Sequence, residues 1–494
     1  MKISKFIYNL FTTGFTQIII LFMGIILLRI MATALSKEYF GIFMITRRIV
    51  AVGAGLITLN LGVGLARYVS YKRESEKEFL NVSLLITTFL SLLILIIFSL
   101  FSFSLSRVFF NESNFSIFVI LLSFYLFSFG ILNIAYAFFR GKQNIDKANM
   151  MRFLYYLCPI ILALILWSLF TKQYSKILFF YYFLFSLGGI LLSVAYIKNN
   201  LFFITFRKIK KNIQPIKNLF FYSISRIPSV FFLSLTFGMP VFFASHKISL
   251  EAAGYVGIAI SVVRLMELFV TPFNLLFLPK FAEIKRNHNS KEIKHKISIV
   301  VDFIISALPV FAVLSYGLAK YIVIIFFGFK YIDTVPSVSL VILFSGFYVI
   351  YTLVRGILDG LFSFPYINSI CLSGFTITAV TSFLFHKNIS SLVLNFGLGL
   401  FIMGTLSLYI LVKKCNVFFR ASNLLISFFI ILCSFLISFL VDKWIVSLII
   451  NEYWKFGLLI LYRAMIILFL FSLYWKPKSL WFRELALRVR LWQE

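Results

Sequence analysis

Long apolar segments restrict the fold of this chain more than any other feature of its sequence. Most of them reach the roughly twenty residues that an α-helix needs to cross about 30 Å of hydrocarbon. A backbone surrounded by lipid must satisfy its own hydrogen bonds, so such segments form helices. Of the 494 residues, 61% are hydrophobic and only 13% are charged, which lies outside the range of water-soluble domains. We therefore predict an all-α polytopic membrane protein.

The apolar segments predict about fourteen transmembrane helices. The predicted spans are 6–35, 40–70, 80–105, 115–139, 153–171, 177–197, 219–245, 250–279, 297–327, 337–358, 366–386, 389–412, 422–441 and 456–475.

The short connections between these spans differ in charge on the two sides of the membrane. With a cytoplasmic N-terminus, the inner connections carry 30 of the 47 Lys and Arg residues, and the outer connections carry 10. Cytoplasmic loops of membrane proteins carry such an excess of positive charge. Both termini are therefore predicted to be cytoplasmic.

Reporter fusions test this topology. We expect a cytoplasmic signal from fusions made after Lys211, Lys285 and Lys478. We expect an external signal from fusions made after Lys172, Lys247 and Lys387. An external signal after Lys211 would contradict the predicted number of helices.

The distribution of charge and of reactive residues excludes several classes of protein. The net charge of +30 does not predict nucleic-acid binding, because the basic residues lie in short connections between apolar spans. The four Cys and four His are scattered, with no CxxC pair, so neither a metal site nor a cofactor is predicted. No catalytic residues are predicted either, because the outer connections are too short to form an external catalytic loop.

An internal repeat relates the two halves of the chain. Tyr39-Phe40-Gly41 recurs as Tyr255-Val256-Gly257 at an offset of 216. The same offset aligns Arg48 with Arg264. Tyr136-x3-Arg140-Gly141 recurs as Tyr351-x3-Arg355-Gly356 at an offset of 215. Each repeat contains six helices, an even number, so the halves share one orientation and a pseudo-two-fold axis along the membrane normal.

The repeat predicts two six-helix lobes followed by two further helices. The predicted regions are an N-terminal lobe (1–197), a basic cytoplasmic linker (198–218), a C-terminal lobe (219–413), helices 13 and 14 (414–475) and a basic amphipathic cytoplasmic tail (476–494).

Arginines inside the spans are the candidate functional residues. An Arg at the centre of a membrane helix costs about 2.5–3.5 kcal/mol on insertion scales and usually faces a water-filled cavity or a partner. A guanidinium binds two phosphate oxygens at once, so a cavity with surplus Arg favours a phosphate-bearing anion. The best candidates for lining such a cavity are Arg29, Arg48, Arg226 and Arg264, and further candidates are Arg47, Arg140 and Arg355.

Each candidate also has an ordinary structural explanation. Neighbouring residues on a helix point about 100° apart, so only one of Arg47 and Arg48 is expected to face the cavity. Arg264 and Glu267 are spaced to neutralise each other. Positive charge that only fixes topology explains Arg140 and Arg355 about as well as substrate binding does. We expect Arg48 and Arg264 to lie on opposite walls of a central cavity.

Several loose motifs resemble one family of membrane proteins. They are Arg29-x5-Leu35-Ser-Lys-Glu-Tyr-Phe-Gly41, Leu61-Gly62 with Arg67-Tyr68, Phe139-Arg140-Gly141, Ala253-Gly254-Tyr255-Val256-Gly257 and Leu278-Pro279-Lys280-Phe281. With these motifs the chain resembles the polysaccharide-flippase branch (Wzx-type O-unit flippases) of the multidrug/oligosaccharidyl-lipid/polysaccharide (MOP) exporter superfamily.

The resemblance implies a function that composition alone does not indicate. It implies a flippase in a bacterial inner membrane that moves undecaprenyl-pyrophosphate-linked oligosaccharide by alternating access, for O-antigen or capsule synthesis. The implied partners are that lipid-linked oligosaccharide, the phospholipid membrane and other membrane proteins of polysaccharide assembly.

Two alternatives remain open. A cation-coupled multidrug exporter of the same superfamily needs carboxylates inside the membrane, and the spans of the first half contain no Asp or Glu. A membrane polysaccharide polymerase or glycosyltransferase is disfavoured by the repeat and by the short outer connections.

Overall fold

The computed structural model describes residues 5–71, 76–198, 213–265, 281, 294, 297–298, 318–362 and 364–415. Their regular structure is entirely helical, which confirms the predicted all-α class. Helices 13 and 14, the tail, and Glu267, Asp302 and Arg463 lie outside the described residues.

The described helices follow one another in this order. They are α1 (Lys5–Ala34), α2 (Lys37–Thr58), α3 (Leu61–Tyr71), α4 (Glu76–Leu100), α5 (Ser102–Phe110), α6 (Ser116–Gly141), α7 (Ile145–Leu169), α8 (Tyr174–Ile197), α9 (Ile213–Ile224), α10 (Ile227–Lys247), α11 (250–265), α12 (Ala319–Phe326), α13 (Val335–Leu361), α14 (Tyr366–Leu384) and α15 (Ile389–Cys415), with a 3₁₀ segment at Phe329–Thr334.

Ten candidate membrane spans occur among the described residues, each long and apolar enough to cross a bilayer. Many large apolar side chains on them are exposed, including Leu85, Phe89 and Leu191. In a water-soluble protein such a surface would be unfavourable, but lipid is the matching solvent for it. The chain is a multi-pass membrane protein.

Two compact units make up the chain. The first consists of Met1–Ile258, Phe326–Gly328 and Phe375–Phe396, and the second of Ala259–Ile325, Phe329–Gly374 and Gly397–Glu494. The lobe boundaries at 197 and 219 stay a prediction.

Helix α6 is the centre of the first unit. It packs against α2, α3, α4 and α8, and its side chains Leu132, Ala135 and Phe138 are buried in the main apolar cluster. Small residues allow close approach, since Gly130 lies against Thr87 and Gly141 lies against Val69. This packing fixes the depth at which polar side chains of α6 and its neighbours lie.

In the second unit, α13 and α15 pack closely. A Cβ built on Gly397 would lie 2.5 Å from the ring of Phe344, and one on Gly404 would lie 2.6 Å from the carbonyl oxygen of Phe347. The rings of Phe347 and Phe401 meet edge to face at 4.7 Å.

The predicted single span 40–70 is interrupted, and the sequence-based prediction is wrong at this point. α2 ends at Thr58, and α3 begins at Leu61 after two residues with positive φ, Leu59 (44°) and Asn60 (54°). Left-handed backbone cannot continue a right-handed helix, so the two helices are distinct.

A second interruption, at 225–226, lies beside the first. It separates α9 from α10, and α9 packs against α3. A Cβ on Gly64 would meet the hydroxyl of Ser223 and come within 3.2 Å of the carbonyl oxygen of Leu219. The two short helices are therefore paired through a glycine contact.

The two ends of the first unit can be named from the charge-based topology. The turns at 35–36, 111–115 and 170–173 lie together, because the Tyr39 ring contacts those of Phe115 (6.0 Å) and Tyr174 (5.9 Å). We call this end the outer end, because the charge-based topology predicts that these turns are external. The opposite end, where α6 ends, is called the inner end.

Candidate functional site

Arg48 lies deep inside the first unit. Its side chain is 5% exposed, and it follows Lys37 by 11 residues, which places it about 17 Å along α2. A Cβ built on Gly238 of α10 would lie 3.8 Å from the Cβ of Arg48. The same Cβ would lie 3.5 Å from the Phe242 ring, so α10 packs directly beside this arginine.

Arg47 has different surroundings, as the 100° rotation between neighbouring residues predicts. Its guanidinium lies 5.9 Å from the centroid of the Phe43 ring. The Phe43 ring in turn lies 6.0 Å from that of Tyr181 on α8, beside Tyr182 of the same helix and Tyr125 of α6. Arg47 therefore belongs to a tyrosine cluster inside the first unit.

This tyrosine cluster joins α6, α7 and α8. The Phe185 ring is its centre, 5.1 Å from the ring of Tyr125, 4.8 Å from Tyr155 and 5.8 Å from Tyr181. Tyr156, one residue further along α7, places its ring 5.6 Å from that of Tyr155. Aromatic phenols bring both apolar area and hydrogen-bonding groups into the interior of the bundle.

A second group of polar residues lies at the inner end of the first unit. The guanidinium carbon of Arg152 is 4.9 Å from the centroid of the Tyr136 ring and 5.8 Å from that of Tyr156, and its Nη1 donates to the Tyr136 hydroxyl at 3.3 Å. The guanidinium of Arg140 lies 5.6 Å from the Tyr136 centroid. We call Tyr136, Arg140, Arg152 and Tyr156 the inner cluster.

Sequence reasoning missed Arg152, because it assigned 140–152 to a connection. In the structure α6 continues to Gly141 and α7 begins at Ile145. The side chain of Asn144 accepts a hydrogen bond from the Lys147 backbone N–H at 3.3 Å and caps α7. This cap was a usable sequence signal, and it places Arg152 two turns inside the helix.

Arg226 lies at the interruption between α9 and α10. Its guanidinium stacks 4.1 Å from the centroid of the Tyr222 ring, and its Nη1 donates to the Tyr222 carbonyl oxygen at 3.4 Å. Pro228 follows in the first turn of α10, a position where its missing N–H costs nothing.

Arg29 lies near the outer end. A Cβ built on Gly328 would be 2.5 Å from its Nη1, so the guanidinium packs directly against this turn. Gly328 has φ +98°, a conformation that favours glycine. Arg29, Arg48 and Arg226 therefore lie at three different depths of the first unit and are not brought together.

Two of the candidate arginines, Arg264 and Arg355, belong to the second unit. The Arg355 Nε lies 3.7 Å from Asp359 Oδ2, and both residues lie inside α13, which continues to Leu361, beyond the predicted end of this span at 358. The Tyr351 hydroxyl lies 3.1 Å from Cys371 Sγ. Arg264 is half-buried in α11, about 21 Å from its start.

At the outer end, α2 and α11 cross closely. The Lys37 Nζ lies 3.0 Å from Glu251 Oε1, and the Tyr255 hydroxyl donates to the same carboxylate. A Cβ on Gly41 would lie 1.9 Å from the Leu250 carbonyl oxygen. The repeated Tyr-x-Gly motifs therefore lie in the two helices that cross at this end.

The described acidic residues of the first unit all lie at helix ends or in turns. Most occupy the first turn of a helix, where a carboxylate interacts well with the helix dipole. They are Glu38, Glu76, Glu78, Glu112, Asp146 and Glu251. The charged residues in the middle of these helices are therefore basic, as at Arg47 and Arg48.

Comparison with protein families decides the family. The sequence profile described as "Polysaccharide biosynthesis protein" matches residues 6–285, more than half of the chain. The chain belongs to this polysaccharide biosynthesis family. A search of curated protein sequences found no match.

Solved structures show which fold this member of the family has. The lipid II flippase MurJ, in an inward closed conformation, superposes with a TM-score of 0.68 at 15% identity, covering 95% of this chain and 99% of MurJ. A MATE family multidrug resistance transporter of the MOP superfamily, in an inward-facing conformation, gives 0.61 at 14% identity, covering 81% and 94%.

A third structure comes from Pyrococcus furiosus. This MOP superfamily transporter, whose binding pocket is described as reversed in polarity, gives a TM-score of 0.52 at 13% identity, covering 83% of this chain and 95% of that one. The fold is that of the MOP superfamily, and the resemblance predicted from the sequence is confirmed.

Proposed function

We propose that this polysaccharide biosynthesis protein is a flippase. It moves an undecaprenyl-pyrophosphate-linked oligosaccharide from the cytoplasmic to the periplasmic leaflet of a bacterial inner membrane by alternating access. The product serves O-antigen or capsular polysaccharide synthesis. Its termini are cytoplasmic, its two six-helix lobes correspond to 1–197 and 219–413, and other membrane proteins of polysaccharide assembly act with it.

The position of charge in the first unit carries this proposal. Arg47 and Arg48 lie in the middle of α2, and the described carboxylates of the unit lie at helix ends. A cationic interior favours an anionic ligand, and guanidinium groups bind phosphate through two oxygens. A pyrophosphate group meets this requirement, and the membership of the polysaccharide biosynthesis family supports a sugar attached to it.

The candidate arginines have different roles in this proposal. Arg48 and Arg264, at equivalent positions of the repeat, bind the pyrophosphate during translocation. Arg226 and Arg140, toward the inner end, bind it on entry, and Arg29 lies nearer to the exit. Arg47 and Arg355 assist within their own units. The mechanism is binding and movement without a catalytic step.

Deletion of the gene tests the proposal. We expect loss of surface polysaccharide, while lipid-linked oligosaccharide is still made and collects on the cytoplasmic leaflet. Labelling of sugars on each leaflet of isolated membrane vesicles measures the distribution, and complementation with the intact chain should restore it.

The same experiment separates the proposal from its rival. Unchanged surface polysaccharide, together with new sensitivity to cationic drugs, would contradict the flippase and favour a multidrug exporter. Absence of lipid-linked oligosaccharide in the deletion strain would indicate an enzyme of its synthesis instead.

A further inference from the structure

Two arginines share one tyrosine ring in the inner cluster. The guanidinium carbons of Arg140 and Arg152 lie 5.6 Å and 4.9 Å from the Tyr136 centroid. The two guanidinium carbons are therefore no more than about 10.5 Å apart, and an anion that contacts both would reduce the repulsion between their charges. Arg140 is exposed and Arg152 is half-buried, so the cluster is open on one side and enclosed on the other.

No described carboxylate neutralises this cluster. Glu76 Oε1 is bound by Lys142 Nζ at 2.6 Å. Asp146 lies exposed in the first turn of α7, and it forms no ion pair with either arginine in the described part of the chain. The contacts of Arg152 are with the Tyr136 hydroxyl and with aromatic rings, which stabilise a cation but leave its charge uncompensated.

The internal repeat supplies a comparison within the same molecule. Tyr351 and Arg355 of the second unit correspond to Tyr136 and Arg140. In the second unit Arg355 is paired with Asp359. The Tyr351 hydroxyl contacts Cys371, and Cys371 occupies the position of Tyr156 at the offset of 215.

The second copy also lacks the extra arginine. At the offset of 215, Ile367 stands where the first copy has Arg152. The second copy is therefore neutralised from within, and the first has one more cation and no described acid. Topology alone does not require this difference, because a single exposed Arg at an inner helix end serves the positive-inside rule.

We propose that the inner cluster is a binding site for a phosphate or pyrophosphate group. Arg152 and Arg140 bind the anion, the Tyr136 ring holds both guanidiniums in place, and Tyr156 closes the enclosed side. The same chemistry occurs in an isoprenoid pyrophosphate, in a phospholipid headgroup and in the free ion. If the proposed function is correct, the site receives the pyrophosphate of the lipid-linked sugar before translocation.

Binding of inorganic pyrophosphate to the purified, full-length protein tests the site directly. The protein is placed in nanodiscs of neutral phosphatidylcholine and titrated by calorimetry. Hydrogen bonds to charged groups contribute enough that Arg152→Gln should weaken binding by about tenfold or more. Arg152→Lys, which keeps the charge, should recover part of the affinity.

Two further variants control the result. Lys147→Gln removes one exposed charge from the same helix end and should leave the affinity unchanged. Arg140→Gln changes an exposed side chain, so it keeps the test decisive even where Arg152→Gln does not fold, and it should also weaken binding. Equal affinity in the wild type, Arg140→Gln and Arg152→Gln would overturn the proposal.

Competition identifies the source of the phosphate. Displacement of pyrophosphate by farnesyl pyrophosphate, but not by phosphatidylglycerol, supports an isoprenoid carrier. Displacement by both supports a site for lipid phosphates in general, and no binding of any of the three overturns the site. The binding measurement does not depend on translocation. A failed flippase assay would therefore not contradict the binding site, and failed pyrophosphate binding at this site would not contradict the flippase function.

Discussion

Replacing Arg48 with Ala is expected to lower translocation of lipid-linked oligosaccharide about a hundredfold, close to background, while Arg48→Lys keeps part of the activity. The side chain is 5% exposed and lies midway along α2. If its charge binds pyrophosphate, removal loses charge-assisted hydrogen bonds of about 1.5–3 kcal/mol each. Lys retains the charge but loses the two-oxygen geometry of the guanidinium. The measurement is translocation in proteoliposomes at matched protein content.

Arg264→Ala should have a similar effect, because the repeat places it at the equivalent position. If both arginines act on one phosphate, the double Ala variant should be no worse than the worse single variant. Arg107→Ala is the matched control, since Arg107 is exposed in the last turn of α5. Loss of a charge from a membrane helix favours insertion, so lost activity would not reflect failed insertion. Full activity of Arg48→Ala would refute its role.

Gly41→Ala is expected to destabilise the protein by about 1–3 kcal/mol and to reduce translocation strongly. The added Cβ would lie 1.9 Å from the Leu250 carbonyl oxygen, a backbone atom that cannot turn aside. The crossing of α2 and α11 would have to separate, and its Lys37–Glu251 ion pair would lengthen. Thermal unfolding of the purified protein and the same translocation assay measure the two effects.

Gly24→Ala provides the control for this prediction. Gly24 also lies inside a membrane helix, but a Cβ there would meet nothing within 4 Å. Both substitutions gain the same helix propensity, about 1 kcal/mol, so the difference between them isolates the crossing contact. If the two variants unfold at the same temperature and transport equally well, the close crossing at Gly41 does not matter.

Hydropathy predicts the class of this fold because an uninterrupted apolar segment in lipid has helix as its stable conformation. It does not predict where such a segment is interrupted. Leu59 is as apolar as its neighbours, and Asn60, a residue that adopts positive φ more readily than most, is the one local signal of the break. The interruption at 59–60 therefore depends on packing of α3 against α6 and α9, which no local pattern contains.

The candidate site was predicted in part, for a related reason. Arg47 and Arg48 stand out because they lie inside an apolar segment. Arg152 does not stand out, because the polar stretch before it conceals the start of α7 at Ile145. The contact between Arg29 and Gly328 joins residues far apart in the chain, so only the folded structure reveals it.

The interruptions at 59–60 and 225–226 also set the depth of charged residues relative to lipid. α2 has 22 residues and α10 has 21, so each measures about 32 Å at 1.5 Å per residue, close to the thickness of the acyl-chain layer. If α2 and α10 each cross this layer, the backbone groups freed by either interruption lie at its edge, where hydrated headgroups can satisfy them. Arg226 then lies at the level of the lipid phosphates, and within α2 the charged residues inside the acyl-chain layer are Arg47 and Arg48, which the protein interior shields.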